Sequence, residues 1–170
     1  MARGSQCKAS FFYFVRHGDY SVEDPNGDGR LTEKGAAQIS SVASLLRSLH
    51  GSFSVIACSP LRRAIESAHM ISSAVSAEVV IEESLEPEGD PAGALAGLYM
   101  KRGGPMIVVG HQPSLSRAIA GLCNDLETKR KIEKGGIACV YAEIRGGSLA
   151  CSLRWILTPD GVRSARDNHA

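Results

Sequence analysis

Short, almost purely apolar runs recur along the chain, separated by longer segments with helical periodicity. The runs Ser10–Arg16, Ser54–Cys58 and Met106–Gly110 have the length of strands and no polar alternation, which is typical of strands buried on both faces. Glu78–Ile81 is predicted to be a further short strand. Strands and helices in alternation predict an α/β fold, here three layers (α/β/α) with a mostly parallel central sheet.

Four helices are predicted between and after these strands. The first begins near Leu31, and Thr32 is its expected N-cap. The positions that form its apolar face are Ile39, Val42, Ala43, Leu46 and Leu49. The second spans Arg62–Val75. The third has Asp90 as N-cap and Pro91 at its first position and runs to about Arg102, and the fourth starts at Pro113.

The C-terminal part of the chain has the pattern of a β-hairpin. Ile137–Ile144 and Leu149–Leu157 flank Gly146-Gly147, which favours a tight turn and adds antiparallel strands at one edge of the sheet. The last ten or so residues are predicted to be a loose tail. Since the 170 residues contain no repeat or linker, we expect one domain over residues 1–170, with its core from about residue 10 to about residue 160.

Composition excludes several classes of function. Nineteen Lys and Arg against 18 Asp and Glu give a net charge of +1, which argues against a dedicated nucleic-acid binder. No apolar run approaches the ~20 residues that span a bilayer, so we expect no membrane association. Five scattered cysteines without a C-x-x-C pair favour buried thiols in the cytoplasm over disulfides or a zinc site. We expect a monomer or a weak dimer.

Residues able to do chemistry come directly after three of the predicted strands. They are Arg16, His17, Gly18 and Asp19 after the first strand, Ser59, Arg62 and Arg63 after the second, and His111 and Gln112 after the run Met106–Gly110. In sheets of this kind ligands bind outside the carboxyl ends of the strands, so we expect these side chains at one edge. Cationic side chains beside helix N-termini form an anion site, and phosphate is the obvious ligand. Each residue alone has a structural explanation; together they favour a functional site.

These segments resemble the motifs of the histidine phosphatase superfamily, which has the phosphoglycerate mutase-like fold. The matching segments are Arg16-His17-Gly18 (R-H-G), Leu31-Thr32 with Gly35 (L-T-x-x-G), Ser59-Pro60-x-x-Arg63-Ala64 (S-P-x-x-R-A) and Gly110-His111 (the second G-H). Within the superfamily, the short chain resembles the SixA-type phosphohistidine phosphatases. The residues that match this subgroup are Leu85, Pro87, Gly89, Asp90, Pro113, Leu115, Trp155 and Pro159.

The resemblance implies a metal-independent mechanism without a cofactor, in which His17 attacks phosphorus and water hydrolyses the resulting phosphohistidine. To attack, His17 must be neutral, and the charges of Arg16 and Arg63 would lower its pKa. Its second ring nitrogen needs a partner, for which we expect a backbone carbonyl. Arg16, Arg63 and His111 would donate hydrogen bonds to the phosphoryl oxygens. Gly18 and Ser59 are further candidates for phosphate binding, whereas the role of Gln112 stays open.

The general acid is not settled by the sequence, since Glu86, Asp90 and Asp19 are all candidates. An imidazole leaving group has a pKa of ~6.5 and departs without much help, whereas an alkoxide, closer to water at ~15.7, needs a proton. The short chain and the uncertain acid favour phosphohistidine in a signalling protein, such as a histidine phosphotransfer domain, as substrate. The alternatives are a phosphatase of small phosphate esters, which would depend on Glu86 or Asp90, and a catalytically silent phosphate-binding module.

Two polar segments have other interpretations. Asp24–Gly29 is similar to the first half of an EF-hand loop, but the twelfth position is Gly35 instead of the bidentate Glu, so we interpret it as an Asx-rich turn. Glu127–Lys134 is charged with both signs and is expected to be a solvated loop or helix face. A surface that meets an acidic phosphoprotein is its alternative interpretation.

Overall fold

The computed structural model of the chain describes residues 9–22, 28–125 and 131–167. Its strands are β1 (Ala9–Arg16), β2 (Val55–Cys58), β3 (Val79–Ile81), β4 (Met106–Gly110), β5 (Ile137–Arg145) and β6 (Ser148–Leu157). They form one sheet in the order β3-β2-β4-β1-β5-β6. Strands β1 to β4 pair in parallel, whereas β5 runs antiparallel to both β1 and β6. The expected mostly parallel sheet with an antiparallel hairpin at its edge is confirmed.

Helices cover both faces of this sheet. They are α1 (Glu33–Leu49), α2 (Arg62–Val75), α3 (Ala92–Arg102), α4 (Ser114–Cys123) and α5 (Pro159–Asp167), with a short 3₁₀ turn at Glu83–Leu85. In β1, Tyr13 and Val15 pack with α1, α2 and α5 on one face, while Phe12 and Phe14 pack with α3 and α4 on the other. The part of the strand from Phe11 to Val15 is therefore apolar because both of its faces pack against helices, and the three-layer arrangement is confirmed.

Thr32 caps α1 as the sequence predicts. Its side-chain Oγ1 accepts a hydrogen bond from the amide of Gly35 at 3.1 Å. One residue of the predicted apolar face is wrong: Leu49 is 38% exposed, in contrast to the fully buried Leu46. Leu49 is the last residue of the helix, one turn beyond the part that packs on the sheet.

The predicted N-cap of the third helix is also wrong. Helix α3 begins at Ala92, and Pro91 with φ −86° and ψ −3° takes the cap position without any side-chain hydrogen bond. The first helical hydrogen bond runs from the amide of Leu95 to the carbonyl of Pro91 at 2.9 Å, so the helix begins one residue later than predicted. Asp90 lies one residue too early to cap the helix and is exposed. The predicted end at Arg102 is confirmed, followed by Gly103 at φ +63°.

The predicted loose tail is largely a helix, α5. Val162 is fully buried in the core between this helix and the sheet. The hydroxyl of Thr158 accepts from the amide of Gly161 at 3.2 Å and so caps the N-terminus. A helix with one fully buried apolar residue offers few apolar positions to recognise in the sequence, which explains the error. The Thr158-Pro159-Asp160 sequence is typical of a helix N-terminus and could have predicted the start of α5.

Several further predictions concern cysteines and the two polar segments. Burial raises the pKa of Cys58 to about 12, and Cys139 is buried as well, which agrees with inert core thiols. Cys123 and Cys151 are half-buried.

Cys7, residues 24–27 and residues 127–130 lie outside the described residues. Within the described part of the chain, no helix is long and apolar enough to cross a membrane.

Candidate active site

His17 lies directly after β1, at the edge of the sheet where the parallel strands end. Its ring is 2% exposed, and its Nδ1 lies 2.8 Å from the carbonyl oxygen of Gly18. Because a carbonyl can only accept, Nδ1 carries the proton and Nε2 keeps its lone pair. The expected backbone partner for the second ring nitrogen is confirmed. Nε2 is thus the nitrogen that can act as a nucleophile.

The surroundings of His17 keep its ring neutral. Burial is the largest effect and lowers the pKa of His17 to about 4, while the bond to Gly18 opposes this shift. The positive charges of Arg63 and Arg16 lower the pKa further, as the sequence predicts, but they rank behind burial. At neutral pH the ring is therefore unprotonated and able to attack an electrophile.

Arg63 and His111 face His17 from two other strand ends. The Nε of Arg63, in the first turn of α2, donates to Nε2 of His17 at 3.4 Å. His111 follows β4, and its ring centroid lies 4.8 Å from that of His17. Arg63 is 9% exposed and His111 is 2% exposed, so both polar groups are almost withdrawn from water.

Arg16 approaches from β1 and is anchored on the other side of the site. Its Nη1 donates to the carbonyl of Ile132 at 3.1 Å, and its buried Nε has no hydrogen-bond partner among the described residues. Burial, followed by the charge of Arg63, lowers the pKa of Arg16 from its ordinary value. We refer to Arg16, His17, Arg63 and His111 as the Arg–His quartet; the structure brings all four together, as expected.

Ser59 holds His111 in one tautomer. The Ser59 hydroxyl lies 2.8 Å from His111 Nε2 and accepts from the amide of Leu61 at 3.4 Å. We assign the hydroxyl proton of Ser59 to this contact, which places the proton of the neutral His111 ring on Nδ1. That Nδ1 is buried without a partner in the described part of the chain, as is the side-chain Nε2 of Gln112. His111 Nδ1 and Arg16 Nε, both in the quartet, are buried donors of the kind that an oxyanion satisfies.

Gly18 has a packing role in this geometry. Its amide donates to the hydroxyl of Ser67 at 3.3 Å, and a Cβ on it would lie 2.5 Å from the carbonyl oxygen of Gly35. Likewise a Cβ on Gly35 would lie 2.0 Å from the carbonyl oxygen of Asp19. The two glycines of separate motifs are therefore explained by one contact, where the end of β1 passes against the first turn of α1.

Comparisons with known proteins agree with this geometry. A family model described as the histidine phosphatase superfamily (branch 1) matches residues 12–87, which include three members of the Arg–His quartet. An uncharacterized protein of Picosynechococcus sp. is 34% identical over 110 residues, covering 61% of this chain and 67% of the relative. The chain belongs to the histidine phosphatase superfamily.

Solved structures confirm the fold of this histidine phosphatase. The protein histidine phosphatase SixA in complex with tungstate gives a TM-score of 0.78 at 21% identity, covering 88% of this chain and 97% of that one. A phosphoserine phosphatase of Entamoeba histolytica in complex with phosphoserine gives 0.67 at 18% identity, covering 89% and 98%. The family makes the chain a phosphatase.

The three candidate acids of this histidine phosphatase have different surroundings. Asp19 accepts from Lys134 Nζ at 3.2 Å and from the hydroxyl of Thr32 at 3.1 Å. Its slight burial would raise its pKa, but these two hydrogen bonds outweigh burial and lower it. Asp19 is thus held as a carboxylate. Glu86 and Asp90 are exposed side chains on the segment between the 3₁₀ turn and α3.

Sequence reasoning missed three residues of the site. The Tyr20 ring lies edge-on to His17 at 5.1 Å and stacks against the Arg63 guanidinium at 4.5 Å. Lys134 contacts the same ring at 4.7 Å, although its segment was interpreted as a solvated face or a partner surface. Asp28 accepts from the amide of Arg62 at 2.9 Å and lies 3.7 Å from the Arg63 guanidinium.

Of these three residues, only Tyr20 lies close enough to a recognised motif to have been predicted from the sequence. Tyr20 lies three residues after His17, so an aromatic residue beside the R-H-G segment could have been noted. Asp28 and Lys134 come from distant loops, and nothing local connects them with the strand ends.

Proposed function

We propose that this chain is a phosphohistidine phosphatase that acts on phosphohistidine carried by other proteins. His17 Nε2 attacks phosphorus and the bond between phosphorus and the substrate ring breaks. The substrate ring, protonated on its other nitrogen, leaves as neutral imidazole, and water then hydrolyses the phosphorylated His17. Arg16, Arg63 and His111 donate to the three equatorial oxygens on which charge accumulates. Ser59 orients His111, and no metal is needed for these steps.

The observation that carries the proposal is the tautomer and burial of His17. Nδ1 is tied to the Gly18 carbonyl at 2.8 Å, so the lone pair on Nε2 lies among the cationic groups that attract a phosphoryl group. Its pKa of about 4 keeps the nucleophile active over the whole neutral range. This arrangement needs no separate base to activate the nucleophile.

The state of the candidate acids supports a P–N substrate over a P–O substrate. Asp19 is held as a carboxylate by Lys134 and Thr32, so it has no proton to give to an alkoxide. Glu86 and Asp90 are exposed, and neither has a side-chain bond that directs it toward the Arg–His quartet among the described contacts. Imidazole, with a pKa of ~6.5, leaves without a strong acid.

The experiment measures phosphate release from two substrates without added metal. One is a histidine-phosphorylated phosphotransfer domain and the other is an alkyl phosphate ester, phosphoserine, whose leaving group is an alkoxide. We expect fast release from the protein, slow release from the ester, and loss of both in His17→Ala. His69→Ala is the matched control, since His69 is an exposed histidine on α2, and it should retain full activity.

Each outcome decides a different part of the proposal. A preference for the ester would replace the proposal by a small-molecule phosphatase and direct mutagenesis to Glu86 and Asp90. Phosphate binding without turnover of either substrate would indicate a silent module. Activity that survives in His17→Ala would overturn the assigned nucleophile.

A further inference from the structure

A separate cavity adjoins the Arg–His quartet on the side of Arg16. It has a volume of about 520 Å³, within the size range of ligand pockets. The residues that line it are Arg16, Asp19, Lys34, Gln38, Glu133, Lys134, Thr158, Pro159, Asp160 and Arg163. We call it the Arg16–α5 cavity. It is not lined by His17, Arg63 or His111.

The topology places this cavity on the same edge of the sheet as the nucleophile. Val15, the residue before Arg16, pairs with Ile137 of β5, which in turn pairs with Leu157 at the end of β6. Thr158 and the first turn of α5 follow Leu157 directly. A substrate surface that presents its phosphoryl group to His17 would therefore also extend over the Arg16–α5 cavity.

The charges that line the cavity leave an excess of one positive charge. Its four cationic side chains face three carboxylates, so 4 − 3 gives +1. Asp19 is paired with Lys134, and Asp160 is paired with Arg163. Lys34, on the first turn of α1, has no ion pair or hydrogen bond with any described side chain, although its charge helps to lower the pKa of Asp19.

The remaining carboxylate, Glu133, interacts with Arg16 of the quartet. Glu133 and Arg16 attract each other, which raises the pKa of Arg16 against the effect of burial. The cation that can accept a new partner is therefore Lys34, at the exposed rim.

We propose that the Arg16–α5 cavity binds a carboxylate of the substrate protein, an Asp or Glu side chain near the phosphohistidine, with Lys34 as the main contact. The inference rests on the proposed function, because it places a second recognition point beside the same reaction. With Arg16 assigned to the phosphoryl group and to Glu133, Lys34 is the lining cation left for a second anion, and one cation matches one carboxylate better than a doubly charged phosphate. An acidic residue beside the phosphohistidine would then distinguish preferred substrates from others.

The test uses synthetic phosphohistidine peptides with a single Glu scanned along both sides of the phosphohistidine. Each peptide is compared with its Gln counterpart. We expect Glu in at least one position to raise kcat/KM by about fivefold, since exposed ion pairs contribute up to roughly 1 kcal/mol. Lys34→Gln should abolish this preference. Lys101→Gln is the matched control, because Lys101 is an exposed lysine on α3, and it should retain the preference.

Charge reversal provides a readout that a merely structural role of Lys34 would not move. In Lys34→Glu, the preferred peptide should change from the Glu series to a matched Lys series at the same position. The absence of a Glu preference at every position in the wild type would overturn the proposal. So would a preference that persists in Lys34→Gln.

Failure of the carboxylate site and failure of the proposed function are distinguishable. If phosphohistidine peptides are not hydrolysed at all, the phosphohistidine assignment is wrong, and the same Glu scan on phosphoserine peptides tests the cavity by itself. If the phosphohistidine peptides are hydrolysed without regard to Glu, the cavity proposal fails and the assigned reaction stands.

Discussion

The Arg–His quartet and the Arg16–α5 cavity lie side by side on one edge of the sheet and share Arg16. They differ in the solvent exposure of their ionisable side chains, which are largely buried in the quartet and largely exposed in the cavity. His17 and His111 are each 2% exposed, and burial is the largest cause of their lowered pKa values. The cavity instead has ion pairs with exposed partners, such as Asp160 with its side chain 82% exposed. Desolvated donors are strong and preorganised, whereas exposed charges are screened. This contrast is the basis on which we propose catalysis at the quartet and substrate recognition at the cavity.

The largest expected effect comes from removing a buried cation of the quartet. Arg63→Gln should lower kcat/KM by about 10²–10³-fold, as for other preorganised donors to a transition state. Arg62→Gln is a closely matched control, because it removes the same charge from the residue that precedes Arg63 in the same helix turn. The side chain of Arg62 is bound to Glu66 and is 39% exposed.

Steady-state kinetics on both variants, with circular dichroism to confirm equal folding, would test this contrast. We expect Arg62→Gln to stay within a few-fold of the wild type. Equal losses in the two variants would mean that net charge, and not the contact of Arg63 with His17, drives the reaction.

The quartet could be predicted from the sequence because its members follow strands that are recognisable locally. His17 and His111 come directly after apolar runs of strand length, and parallel strands bring their carboxyl ends to one edge. Arg63 lies in the first turn of the helix after β2, so the same rule places it there. Local pattern and sheet topology together were sufficient.

The cavity could not be predicted in this way, because its walls meet only in the folded chain. Lys34 belongs to α1, Lys134 to a loop before β5, and Arg163 to α5, which was itself predicted to be a tail. Helix α5 has Val162 as its one fully buried residue, so its position depends on tertiary packing that few apolar residues indicate in the sequence. The sequence shows which of these residues are cationic and which are acidic, but it does not show which of them form ion pairs.

The second expected effect is a loss of stability in acid that originates in the quartet. The pKa of His17 is about 4 in the folded protein against 6.5 ordinarily, so between these values the unfolded chain binds more protons. The free energy of unfolding should therefore fall as pH decreases from about 6.5 toward about 4. His111, whose pKa is lowered to about 3 by burial and the nearby charges, adds to the same fall.

Urea unfolding at a series of pH values measures this dependence. In His17→Ala the decline through this window should be shallower than in the wild type, because one of the two buried rings no longer resists protonation. Identical slopes for the two proteins would show that His17 is not withdrawn from water as the geometry requires.

The smallest expected effect separates the contribution of a neutral hydrogen bond in the quartet from the contribution of its charges. Ser59→Ala removes the hydroxyl that lies 2.8 Å from His111 Nε2, without touching any charge. We expect kcat to fall by about tenfold with a smaller change in KM, because losing one buried hydrogen bond costs roughly 1–1.5 kcal/mol. Ser41→Ala is the control, a buried serine on α1 whose hydroxyl bonds to the Ala37 carbonyl.

The tautomer of His111 distinguishes a positioning role for Ser59 from a merely structural one. In the wild type, ¹⁵N NMR should find the ring proton on Nδ1, and in Ser59→Ala a mixture of both tautomers. Only a proton on Nδ1 turns that buried nitrogen into a donor for a phosphoryl oxygen. If the tautomer is unchanged while kcat falls, Ser59 acts through packing; if both are unchanged, His111 is oriented by its buried surroundings alone. A loss of both the tautomer and kcat would show that the quartet depends on a neutral hydrogen bond as well as on charge. The proposed role of the exposed cavity depends on charge alone.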